Sequence, residues 1–206
     1  MGDLSSVKKQ SVTLKSKYTL TLLLFIFTLL FYRYSPFAPE HTNNNSLLQT
    51  LFNLYFFISN QTLGIVHESG HGVCYLLPCP KFITALNGTL FQVAFPLFIY
   101  FYYRYKKRDF LSYIGIYFTG FSLQYTAWYI STSYRGAYVS ASDSFLGVDG
   151  YHDFYYILDT LGVLNHYEGI ATFVKVVAYI LMFGSVVLMF LNGFMSKSKE
   201  ETPPAL

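Results

Sequence analysis

The sequence predicts an all-α, polytopic membrane protein with about five transmembrane or membrane-embedded helices. Three observations predict it. Hydrophobic residues make up 53% of the 206 residues and charged residues only 12%, roughly half the charged share of an ordinary soluble domain. The apolar residues gather into runs near the roughly 20 residues that cross a bilayer core. Short stretches rich in Pro, Gly, Asn and Ser separate those runs. The net charge is +3, and the basic residues sit in small clusters beside the apolar runs. No basic stripe follows a helix face, so membrane lipid is the expected partner and nucleic acid is not.

Taken in order, residues 1–17 are a polar, basic tail carrying Lys8, Lys9, Lys15 and Lys17. Residues 18–34 form the first apolar stretch. No A-x-A-like cleavage site follows, so it reads as a retained anchor rather than a signal peptide. A loop rich in Pro and Asn covers 35–45. The second stretch runs from about Ser46 to Leu77, longer than one span needs, so it must tilt, kink or end outside the hydrocarbon. Pro78 and Pro80 end it. A third stretch, 82–103, is interrupted by Asn87-Gly88-Thr89, Gln92 and Pro96. Such residues are tolerated at membrane depth where they face protein or a wet cavity. Asn87 to Gln92 is therefore expected to line a site, as a partly unwound or re-entrant element or as a Pro-kinked span.

Arg104 to Arg108 is a basic turn. The fourth stretch, Phe110 to Ile130, carries Gly115, Gly120, Ser122 and Gln124. The small residues permit close helix packing, and Gln124 is a candidate for a bond across helices. A Ser/Gly/Asp-rich loop covers 131–150, a short helix opens near His152-Asp153, and a last apolar stretch runs from Ile170 to Phe194. Residues 18–194 thus form one membrane-embedded helical domain, and 195–206 are a polar tail. With five alternating crossings the basic flanks divide six against seven, so charge does not orient the chain. Cys74 and Cys79 lack companions for a structural zinc site and read as free, buried or interfacial thiols.

The chemistry concentrates in His67-Glu68-Ser69-Gly70-His71, an H-E-x-x-H. On a helix both imidazoles face one way, one turn apart, and can hold a Zn²⁺, with Glu68 as general base. Ionisable side chains in an apolar run are costly, which itself points to function. Ser69, Gly70 and Gly72 keep the helix surface low. A catalytic zinc needs a third protein ligand. Asp149-Gly150-Tyr151-His152-Asp153 is the best source, with one of His152 or Asp153 binding the metal and the other orienting a ligand. Returning that segment to the motif's face requires two full crossings between them.

These residues resemble the site-2 protease family of intramembrane zinc metalloproteases, in which H-E-x-G-H closes an apolar helix and a later L-D-G supplies an aspartate. Val148-Asp149-Gly150 is similar to that element. The chain also resembles small bacterial membrane proteins related to that family, through Asn87-Gly88-Thr89-Leu90-Phe91-Gln92 and His152-Asp153-Phe154. The resemblance covers about 45–165. It implies a metalloendopeptidase that cleaves a membrane-embedded or juxtamembrane peptide, sited in the inner membrane if the source is bacterial. The family's Asn and Pro before the aspartate are missing ahead of Asp149, which favours His152 or Asp153 as the third ligand. The alternative is a zinc-binding membrane protein without proteolytic activity: a sensor, transporter or assembly factor. Five histidines are too few for a di-iron membrane hydroxylase.

Overall fold

The computed structural model describes residues 14–34, 46–139 and 150–201. The chain is mostly helical. Its helices are α1 (Leu14–Tyr34), α2 (Leu47–Leu76), α3 (Lys81–Tyr105), α4 (Asp109–Ser131), the short α5 (Asp153–Thr160) and α6 (Tyr167–Glu201). A two-residue antiparallel ladder, β1 (Tyr138–Val139) with β2 (Gly150–Tyr151), precedes α5. Among the described residues, three stretches are long and apolar enough to cross a membrane: Lys15–Tyr32, Lys81–Tyr105 and Leu164–Phe194. The helix α2 carries too many amides for that, among them Gln49, Asn53, Asn60 and Gln61.

Local chemistry sets the helix limits. The Ser46 side chain accepts from the Gln49 amide and caps α2, satisfying one of the orphan donors of a first turn. Pro78 and Pro80 lack the amides to continue it. At the other end of α3, Lys107 takes φ 54°, which reverses the chain, and Arg104 pairs with Asp109 across the turn.

Neighbouring helices are placed by small residues and aromatic rings. α2 and α3 are antiparallel, with His71 beside Thr84 and His67 beside Gln92. α3 and α4 are antiparallel, with Gly115 against the backbone of Pro96 and Tyr100. α6 packs antiparallel on α4, where a Cβ on Gly120 would lie 2.7 Å from the Ala178 carbonyl. α1 packs antiparallel to α6 through Tyr18–Phe190 and Tyr32–Tyr179. It lies parallel to α4, with Lys17 over Phe110, Thr28 bonded to Tyr117 and Phe31 on Phe121. A cluster of Phe27, Tyr55, Phe121 and Tyr125 rings ties α1, α2 and α4 together.

Four expectations need correction. First, 82–103 is neither unwound nor re-entrant: α3 is one continuous helix through Asn87, Gly88 and Pro96. Proline has no amide to give the Gln92 carbonyl. The Ser122 hydroxyl of α4 donates to that carbonyl instead, at 3.1 Å, so the helix keeps its path without an unmet acceptor in an apolar setting. Second, Gln92 rather than Gln124 bonds across helices. The Gln124 Nε2 is buried and without a hydrogen-bond partner. Third, Cys74 and Cys79 are joined as a disulfide, with Cα atoms 5.2 Å apart. The Pro78 turn folds Cys79 back beside the last turn of α2, which spacing alone did not reveal. Fourth, the helices do not simply alternate. α1 and α2 are both parallel to α4, so the start of α1 lies at the same end of the bundle as the Arg104–Arg108 turn.

Gly120→Ala is expected to destabilise the protein by roughly 1–3 kcal/mol, because the added methyl meets backbone that cannot yield. Gly72→Ala meets open space and should be neutral or slightly stabilising. Thermal unfolding of the two variants in detergent checks the contrast.

Candidate metal centre

Three elements bring three ligand atoms to one point. α2 supplies His67 and His71, one turn apart, with ring centroids 4.8 Å from each other. α3 and α4 run out and back, and the start of α5 then lies beside the motif. The Asp153 Oδ2 sits 3.0 Å from His67 Nε2 and 3.2 Å from His71 Nε2. The three donor atoms lie within 4.8 Å of one another.

The other nitrogen of each ring decides what faces that point. His67 Nδ1 is 3.3 Å from the Gln92 Oε1. The amide cannot be turned round, because its Nε2 donates to the Ser122 carbonyl at 3.2 Å. Nδ1 of His67 must therefore be the donor. His71 Nδ1 lies 2.8 Å from the Thr84 carbonyl, which only accepts, so it too carries the proton. In the neutral rings both Nε2 lone pairs then point at a carboxylate oxygen. Three acceptors at this spacing repel unless a cation, a proton or a metal, lies among them. Two imidazoles and one carboxylate, each oriented by a further hydrogen bond, form a group that could hold a metal ion.

The backbone leaves room for such a cation. A Cβ on Gly88 would lie 2.6 Å from Nε2 of both histidines, so any side chain there would fill the space that a metal and its open position need. Gly70 faces the Asn87–Gly88 backbone, and a Cβ there would collide with it. Asn87 Nδ2 donates to the Gly70 carbonyl at 2.6 Å and locks the crossing. Of the three small residues in the motif region, only Gly70 serves the close approach. Ser69 is exposed and bonds its own helix, and Gly72 faces open space.

Glu68 is exposed beside the site, near enough for its charge to act on His71 and Tyr129. Of the two residues expected to divide the roles of ligand and orienting group, Asp153 lies beside the histidine pair and His152 does not join the three ligand atoms. It caps α5: its Nδ1 accepts from the Tyr155 amide at 3.3 Å. Its Nε2 donates to Thr132 Oγ1 at 3.0 Å, since that hydroxyl spends its own proton on the Tyr129 carbonyl. Both ring nitrogens are thus engaged. His152 still orients the site, stacking at 4.3 Å on Tyr129, whose hydroxyl receives the Asp153 amide at 3.3 Å and reaches Oδ2 at 3.5 Å. Asp149 lies outside the described residues.

Sequence reasoning missed Tyr129 and Thr84. Tyr129 is one of 20 tyrosines, with nothing local to single it out. Thr84 acts through its carbonyl, which any residue would provide.

Gln92→Leu is expected to weaken metal binding about 10- to 100-fold by freeing the His67 ring. Gly88→Ala should abolish binding while leaving the helical fold intact. Titration with Zn²⁺, read by calorimetry beside circular dichroism, measures both. The chain matches no family model, no curated protein and no solved structure.

Proposed function

We propose that the chain is a multi-pass membrane protein and a zinc-dependent endopeptidase of site-2 protease type. On this reading it hydrolyses a peptide bond in or next to the membrane. The observation that carries this is the convergence of His67 Nε2, His71 Nε2 and Asp153 Oδ2 beside an exposed Glu68 one residue from the first ligand. A structural zinc site closes its coordination with four protein ligands, whereas a catalytic one leaves a position open. Here the described residues bring together three.

His67, His71 and Asp153 would hold the ion. Bound zinc supplies an acidified water and a polarised carbonyl. Glu68 has the chemistry to take a proton from that water and deliver it to the leaving amine. Gln92, Thr84 and Tyr129 keep the ligands aimed while this happens. The Asn87–Gly88 backbone, without a side chain over the two Nε2 atoms, leaves an approach for the substrate carbonyl. The exposed apolar surfaces of α1, α3 and α6, including Leu22, Phe98 and Phe190, suit contact with lipid.

Elemental analysis of purified protein should find a single zinc per chain. Glu68→Gln should keep the metal and lower cleavage of reconstituted membrane-anchored peptides by about 10²- to 10⁴-fold. Full biological function in Glu68→Gln, with loss in His67→Ala, would instead assign a zinc-binding role without proteolysis. Zinc occupancy should fall as the pH drops, because protons compete with the metal for its ligand atoms. Equilibrium dialysis across pH 5–8 follows that loss.

A further inference from the structure

We infer that the metal centre opens on the non-cytosolic side of the membrane, so that its substrates are peptide segments presented there. This rests on the reading of the chain as a membrane endopeptidase and adds the side from which it works.

Two independent features of the fold carry it. The first is charge. α1 lies parallel to α4 and antiparallel to α6, so the start of α1, the end of α6 and the α3–α4 turn share one end of the bundle. That end holds Lys15, Lys17, Arg104, Lys106, Lys107, Arg108, Lys197 and Lys199. Among the described residues, the opposite end, where the ligands lie, is flanked by Arg33, Lys81, Arg135 and Lys175. Positively charged flanks favour the cytosolic face, so the site end faces away from it. The draw obtained from alternating crossings disappears once α1 is seen to run alongside α4.

The second is redox chemistry. The Cys74–Cys79 disulfide lies at the site end, three residues beyond His71 and just before α3. Disulfides persist in oxidising compartments and are rare where thiols are kept reduced. The disulfide and the basic turn lie at opposite ends of the same helix, α3, and assign it the same direction.

Depth follows from α3. Thr84, which holds His71, and Gly88, which faces both rings, lie in its first two turns, about 5 to 10 Å along the helix from Lys81. The site thus sits close to the outer end of the bundle. A juxtamembrane segment on that side reaches it more directly than the midplane of a spanning helix does.

Sidedness is measurable by labelling in sealed cells with membrane-impermeant PEG-maleimide, read as a gel shift. In the native protein, no shift is expected before reduction, and a shift at Cys74 and Cys79 after the impermeant reductant TCEP. In a Cys74→Ser/Cys79→Ser background, Arg135→Cys should label in sealed cells and Lys107→Cys only after permeabilisation. Shift of the native pair without reduction, or only after permeabilisation, overturns the inference. So does labelling of Lys107→Cys in sealed cells. If the double variant does not accumulate, the native pair decides alone. Labelling needs neither metal nor hydrolysis, so it stands even if the endopeptidase reading falls. Release of the protein by alkaline carbonate would reject the membrane reading itself.

Discussion

Three lone-pair-bearing atoms, two imidazole nitrogens and one carboxylate oxygen, are held face to face where four helices meet. No such arrangement relaxes on its own: each group would turn toward a donor if it were free to do so. The surrounding structure removes that freedom. Gln92 holds His67, the Thr84 carbonyl holds His71, and the Tyr129 hydroxyl with the α5 cap holds Asp153. The cost of keeping acceptors together in an apolar environment is high, and a proton or a metal ion among them offsets it. Much of the fold around the site is legible as the means of maintaining that unstable convergence.

The clasp between Gln92 and Ser122 links the site to the helix packing. Pro96 leaves the Gln92 carbonyl without its helical donor. Ser122 fills that vacancy and, through its own carbonyl, orients the Gln92 side chain toward His67. One proline thus couples the α3–α4 contact to the orientation of a ligand on α2. Gly70 and Gly88 act in the same direction from the other side, since the α2–α3 crossing is close enough only where both lack a Cβ. Packing and ligand geometry are therefore one problem here rather than two, and a change in either propagates to the other.

The arrangement of the long helices matters as much as their existence. A chain read as alternating crossings has its basic residues evenly divided. The bundle instead lays α1 alongside α4 through Tyr117 and Phe121, which gathers the lysines of α1 with the basic turn. The buried aromatic cluster is what makes this contact, so the direction of charge in the molecule depends on ring packing between helices distant in sequence.

Apolar runs and their punctuation determined the helices by themselves to within a few residues, because burial and backbone satisfaction are local constraints; the exception is α6, which continues past Phe194 into the polar tail as far as Glu201. The H-E-x-x-H spacing determined that His67 and His71 share a face, and the composition of 87–92 placed Gly88 and Gln92 at the site. Spacing did not separate His152 from Asp153, because adjacent residues differ only in which way a cap turns them. Tertiary structure decided that: His152 is consumed by the α5 amide and Thr132, and Asp153 is left to face the pair. It also decided the disulfide, the unbroken path of α3 and the parallel run of α1 and α4. Each of these is a pairing between side chains or helices whose partner is set by packing in space, a quantity that periodicity along the chain does not carry.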